Sequence, residues 1–332
     1  MGAGGSSSII NMKIVFFGTP EYVVPVLDCL HKSFKSKLGT SPIAAVVTQA
    51  PKPAGRKKEL TYSPVDTWAH QRSIPKYFDP QDVVKNKIMA DLGVIASYGA
   101  IIPLEVISHF PYGILNIHPS LLPKWRGSSP VQATIITEDA AGATIIKIDE
   151  KLDHGQIVSQ FRDEVLPDDT TESLRRRLFE RSAEVLKTLI PVYITGKIKP
   201  REQDHEKATF TREIKKDDAF IPPKYLKATL QGLPLKGKWG IPFIKEFTIK
   251  PTPEVLNNFI RAMQPWPGAW TIVNIGQDVK DKGQRRLKIL NSHLSQPTPH
   301  NQQLVIDKVQ LEGKDLITWI QFTQGYPKSK FE

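Results

Sequence analysis

The sequence predicts an α/β protein built on a mostly parallel sheet with helices on both faces, followed by a smaller β-rich C-terminal domain. Two observations carry that prediction. Through the first half of the chain, short apolar runs rich in β-formers alternate with apolar residues at helical spacing, and strands that are apolar throughout require cover on both faces. Toward the C-terminus the pattern changes to short strand-like runs punctuated by turn formers, as in a small barrel or sandwich.

The run Lys13-Ile-Val-Phe-Phe17 stops at Gly18-Thr19-Pro20 and is followed by Val23, Val26, Leu27 and Leu30, which reads as strand, tight turn and helix. Further strands are predicted at Ile43–Thr48, Leu92–Ser97 and Ile114–Ile117, with helical stretches between them. From Thr170 an amphipathic helix carrying Leu174, Leu178, Val185, Leu186 and Leu189 closes the domain. The polar stretch from Gly196 to Asp204 reads as a connector, and the predicted division is 12–195, a linker at 196–214, and 215–332. In the last part, Pro251-Thr-Pro-Glu-Val-Leu opens a helix toward Met263, and short strands are predicted at Trp270–Ile275, Leu287–Leu290 and Leu304–Val309. The stretch Ala219–Lys250, rich in Pro, Gly and Lys, has no assignable pattern.

Composition narrows the function. The chain has one cysteine, Cys29, so no disulfide can form within it, and its place in a helix-spaced run marks it as a packed thiol rather than a nucleophile. No apolar run approaches the roughly 18 residues that span a bilayer, so no membrane partner is expected. The first twelve residues, MGAGGSSSIINM, lack Lys and Arg, which argues against secretory and transit peptides. They are read as a leader, although Gly2 and Ser6 fit the loose myristoylation pattern. The expected setting is a bacterial-type cytoplasm rather than an organelle matrix. The net charge of +11 is concentrated late: residues 205–332 hold 20 basic and 12 acidic side chains, against 25 and 22 before them. That excess suits a polyanionic partner.

In open parallel sheets ligands sit beyond the carboxyl ends of the strands, which directs attention to the segments after Phe17, Ser97 and Ile117. There is no GxGxxG fingerprint and no GxxxxGK[ST] loop, which argues against nicotinamide and nucleoside-triphosphate enzymes. The most informative segment is Leu115-Asn-Ile-His-Pro-Ser-Leu-Leu-Pro-Lys-Trp-Arg-Gly127. Asn116 and His118 are two apart on a predicted strand, so they leave the same face of the sheet. Pro119 and Pro123 stiffen the loop that follows. Asp153 lies in Ile148-Asp-Glu-Lys-Leu-Asp-His-Gly155, a turn between two apparent strands. Acyl transfer to an amine needs an oxyanion donor and a proton acceptor, and Asn, His and Asp supply both. Taken singly, each is as well explained as a turn former or a satisfied core residue; together they form a candidate catalytic set. The histidines are scattered and show no metal-ligand spacing, so no metal is expected.

These words, with Phe17-Gly-Thr-Pro20, Pro53-Ala-Gly-Arg56, Ser97-Tyr-Gly99, Leu152-Asp153, Gly155 and Pro265-Trp-Pro267, resemble those of the folate-dependent formyltransferases, and most closely the methionyl-tRNA branch. The resemblance implies a Rossmann-like formyltransferase domain followed by an OB-like C-terminal barrel. It implies catalytic roles for Asn116, His118 and Asp153, folate contacts from Ser97, Tyr98, Gly99, Ser120, Leu121, Leu122 and Pro123, and 10-formyltetrahydrofolate as the formyl donor. It places the basic loop Pro51–Leu60 where the family enters the tRNA acceptor stem, with Arg56, Lys57 and Lys58 as tRNA contacts. The implied acceptor is initiator methionyl-tRNA and the expected working unit a monomer. Two alternatives share the core motif: a formyltransferase for an amino sugar or nucleotide amine, and a non-catalytic RNA-binding homologue. The chain departs from the family pattern at His154 and Gln156, where Thr and Asp are common, and it lacks the Trp often found after Lys215-Lys-Asp-Asp218.

Overall fold

The computed structural model describes residues 12–54, 59–234, 236–276, 283–295 and 303–331. The N-terminal stretch with Gly2 and Ser6 lies outside them. Among the described residues two compact units are present, one drawn from 12–126, 141–164 and 175–208, the other from 127–140, 165–174 and 209–331.

The first unit is a seven-stranded sheet. Its strands are β1 (Ile14–Gly18), β2 (Ile43–Val47), β3 (Lys76–Tyr77), β4 (Leu92–Ala96), β5 (Ile114–His118), β6 (Ala141–Lys147) and β7 (Gln156–Asp163), in the order β7-β6-β5-β4-β1-β2-β3. The five from β5 to β3 run parallel, while β6 and β7 form an antiparallel extension beside β5. This is the mostly parallel, Rossmann-like sheet that the apolar strands predicted. Successive β1 residues serve opposite faces. Ile14 and Phe16 join one core with Val26, Leu27 and Leu30 of the helix Val24–Ser33 and with Phe179, Leu186 and Ile190 of the helix Thr171–Ile194. Val15 and Phe17 join a second core with Val83, Val106 and Phe110. Each such fully buried side chain is worth about 1.5–3 kcal/mol, so both faces must be covered for strands of this composition to persist. Cys29 is half-buried, and its Sγ donates to the Ala183 carbonyl oxygen at 3.3 Å.

The chain leaves β1 toward β2 and β3 on one side and returns to build β4 and β5 on the other. Gly18 pairs with Ala96, and Ala96 with Ile117, so the ends of β1, β4 and β5 lie side by side at the point where the strand order reverses.

The second unit holds a four-stranded antiparallel meander, β8 (Ala269–Asn274), β9 (Gln284–Leu294), β10 (Leu304–Leu311) and β11 (Leu316–Thr318). Burial alternates along β8, as expected of a sheet with one face on a core. Beyond β11 the chain returns, and Asn274, the last residue of β8, and Lys330 exchange backbone hydrogen bonds of 2.9 and 2.8 Å. The helix Pro253–Ala262 begins at Thr252, whose Oγ1 accepts from the Val255 N–H. It also explains why the two earlier segments belong to this unit: Asn258 donates to Glu138 at 2.7 Å, Arg261 to the Asp169 carbonyl, and Thr171 to the Ala262 carbonyl at 2.6 Å. The unassigned stretch contains the helix Pro223–Leu230 and a two-strand pair, Trp239–Gly240 with Thr248–Ile249. Among the described residues no helix is long and apolar enough to cross a membrane.

Candidate active site

At the end of β5 the period of two puts Asn116 and His118 on one face. Asp153 lies 37 residues beyond Asn116, in the turn between β6 and β7. Its Oδ1 is 3.5 Å from Asn116 Nδ2 and 3.5 Å from His118 Nδ1. One carboxylate oxygen thus addresses both strand residues. The His118 and Asp153 side chains are only 5% and 8% exposed, so their interaction is little screened by solvent.

His118 Nε2 donates to the Trp125 carbonyl oxygen at 2.9 Å. A carbonyl can only accept, so this contact keeps a proton on Nε2 and gives neutral His118 its acceptor at Nδ1, the nitrogen that faces Asp153. Asp153 adopts φ 50°, Trp125 φ 60° and Ser97 φ 47°. Non-glycine residues rarely enter that left-handed region, and here two of the three, Asp153 and Trp125, touch His118 directly, as strained backbone at functional sites does. Gly155 is demanded by space: a Cβ there would sit 1.9 Å from the Lys147 carbonyl oxygen.

The loop after His118 is pinned from below. Thr144, paired with His118 across β5 and β6, donates Oγ1 to the Ser120 carbonyl at 2.6 Å and accepts from the Leu122 N–H at 3.0 Å and from Gln160 Nε2 at 2.9 Å. Gln160 Nε2 also reaches the Leu122 carbonyl at 3.0 Å. The Ser120 hydroxyl is committed to the Lys124 carbonyl at 2.6 Å, and Leu122 packs with Ile146 and Ile157. Leu121 and Pro123 keep partly open side chains, so these two present the loop's outer surface.

The residues after β4 divide in the same way. Gly99 is exposed at φ 82°. Tyr98 turns inward, 3% exposed, with its ring edge-on to Phe17 at 6.0 Å. Burial first, and Asp79 second, push its phenol up to about 12, so it is no acid at neutral pH. The Tyr98 carbonyl accepts from Thr19 Oγ1 and Gln49 Nε2 at 3.2 and 3.3 Å.

Arg56, Lys57 and Lys58 lie outside the described residues. The chain on either side of them, Lys52–Ala54 and Glu59–Thr61, pairs as a short antiparallel ladder. Among the described residues no three His, Cys, Asp or Glu side chains converge as a metal site would require.

Sequence reading missed the supports of this site: Thr144, Gln160, Gln203 and the role of Arg126. Arg126 stands inside the long motif but looked like part of a loop. Gln203 sits in the connector and had no periodic signal; only its burial, 5% exposed between exposed neighbours, sets it apart. Arg126 is also buried. Burial lowers the pKa of its guanidinium, opposed first by Asp153 and then by Asp149.

Comparison with known proteins identifies the family. The Formyl transferase family model matches residues 12–190, and the Formyl transferase C-terminal domain model matches 250–327. The methionyl-tRNA formyltransferase of Buchnera aphidicola is 33% identical over 92% of this chain and 93% of its own length. Among solved structures, an N-formyltransferase from Helicobacter canadensis in complex with folinic acid and dTDP-3-aminofucose superposes with a TM-score of 0.59 at 16% identity, covering 92% of this chain and 98% of that one. The methionyl-tRNA formyltransferase from Clostridium thermocellum gives 0.51 at 16% identity over 90% and 98%. At such identities the two structures speak for the fold.

Proposed function

The chain belongs to the formyl transferase family, and from that premise we propose that it transfers the formyl group of 10-formyltetrahydrofolate to the free amino group of initiator methionyl-tRNA. The observation that carries the chemistry is the single Asp153 oxygen 3.5 Å from both Asn116 and His118. Sequence relatives named methionyl-tRNA formyltransferase, matched over most of both chains, support the choice of acceptor.

The donor set fits a formyl-carrying folate. Asn116 brings an amide with two N–H groups, of which Asp153 engages one and leaves the other for a substrate oxygen. Leu121, Pro123 and exposed Gly99 would flank the carrier. When bound, the carrier supplies the formyl carbon, to which the amine nitrogen bonds as the bond to the carrier nitrogen breaks. Asn116 donates to the oxygen that gains charge during this exchange. His118 Nδ1, with Asp153 beside it, takes the proton lost by the amine and returns one to the departing nitrogen. The fixed Nε2 contact holds the imidazole in place throughout.

Arg56, with Lys57 and Lys58, would bind the acceptor stem without touching the reacting atoms, and the basic C-terminal region would add a second nucleic-acid surface. The proposed working unit is one chain on one tRNA, in a compartment that initiates with formylmethionine. The test is formyl transfer from 10-formyltetrahydrofolate to charged initiator methionyl-tRNA, with elongator methionyl-tRNA and free methionine in parallel. Transfer to the initiator alone is expected. Folate binding without transfer to any of them would redirect the search to amino-sugar and nucleotide acceptors, and absence of folate binding would favour a non-catalytic RNA binder.

A further inference from the structure

We infer that Gln203, held by Arg126, is a positioning residue for Asp153, fixing the backbone of the 153–155 turn and with it the place of the carboxylate against Asn116 and His118. The kinetic part of the test rests on the proposed formyl transfer; the geometry does not.

Gln203 uses both ends of its amide. Nε2 donates to the carbonyls of Asp153 and Gly155 at 2.9 and 2.7 Å, and so clasps the turn on either side of His154. Oε1 accepts from Arg126 Nη2 at 2.7 Å and Nε at 3.3 Å. Because arginine only donates and a main-chain carbonyl only accepts, no other orientation of the amide satisfies both partners. Burial of Gln203 and Arg126, at 5% and 4% exposure, makes any misfit costly.

The same turn is braced a second time. Arg126 Nη2 donates to His205 Nδ1 at 2.8 Å. The His205 ring stacks on His154 at 3.9 Å with 4° between planes, and His154 Nδ1 meets Asp149 Oδ2 at 2.7 Å. The connector 203–205 therefore holds the whole 149–155 turn from outside, which an Asp at a left-handed φ requires if its side chain is to stay aimed at β5.

Gln203→Glu is the discriminating variant. It keeps the acceptors facing Arg126 and replaces the two N–H donors with an oxygen set against two carbonyl oxygens. A misplacement of about 1 Å in a catalytic group lowers turnover on the order of 10²-fold, so kcat should fall by roughly that factor while KM for tRNA and for the formyl donor stays close to wild type. In an Asp153→Ala background the same change should cost nothing further, because its effect passes through the missing carboxylate. Multiplying losses in that background, or an unchanged kcat, overturns the inference. If Gln203→Glu does not fold, Gln203→Ala removes the donors without adding charge and carries the same expectations. A crystal structure of the folded variant decides the matter apart from activity. The Asp153 Oδ1 to His118 Nδ1 separation should lengthen beyond 3.5 Å, and an unchanged separation overturns the inference even if the wild type transfers formyl to no acceptor, which would defeat only the proposed function.

Discussion

His118 Nε2 lies 2.9 Å from the main-chain oxygen of Trp125, a residue itself held at φ 60°. The motif thus folds back on its own histidine: the strand presents the imidazole, and the loop seven residues on fixes its tautomer. Nδ1 is thereby directed to Asp153.

Asn116→Ala should lower kcat by about 10²–10³, the usual consequence of losing one oxyanion donor. KM for the formyl donor should change little, because the contact strengthens only as charge develops. Steady-state kinetics with saturating tRNA checks this, and normal turnover would sink the assigned role.

Asp153→Asn keeps the shape of the turn residue and removes the charge beside His118. A loss of about 10²–10⁴ in kcat is expected from impaired proton transfer. Combined with His118→Ala the losses should fall well short of multiplying, since the two act as one unit. A double-mutant cycle measures the coupling directly.

Thr144→Val removes the hydroxyl that bonds the Ser120 carbonyl and the Leu122 N–H. Leaving a buried donor unsatisfied costs about 1–3 kcal/mol, to be read from denaturant unfolding. The loosened loop should also raise KM for the folate more than it lowers kcat.

Arg56→Ala should weaken use of tRNA while sparing slow hydrolysis of the formyl-folate. Removal of one phosphate contact lowers the slope of log(kcat/KM) against log salt by roughly one. An equal loss of both activities would indicate damage to the catalytic unit instead.

Asp218 gives a pH-dependent prediction in the C-terminal unit. Arg212, donating to both carboxylate oxygens, holds its pKa below the usual range, opposed by burial and aided by the Lys215 N–H. A depressed folded-state pKa contributes stability that is fully present above the unfolded value of about 3.9 and is lost as pH falls through the folded value. Thermal unfolding followed downward through that window should show Asp218→Asn losing less stability than wild type.

Much of the catalytic unit was legible because its information is local. Apolar, β-forming residues at both even and odd positions of Ile14–Gly18, bounded by a turn signal, read as a strand covered on both faces, and a spacing of two on a strand puts Asn116 and His118 together. The stretch Ala219–Lys250 was opaque for the opposite reason. Among the described residues its elements are an eight-residue helix and strands of two residues, too short for periodicity to accumulate.

From the sequence alone came the parallel sheet, the strand ends at which a ligand is expected, and the three residue types proposed to act there, since each follows from side-chain period and chemical capacity. Tertiary structure decided that Asp153 reaches both Asn116 and His118, that Tyr98 turns its ring into the core, and that Gln203, fifty residues from Asp153, clasps the turn. Those relations depend on where chain segments distant in sequence come to rest, and that is set by the burial and hydrogen-bond satisfaction of the whole unit.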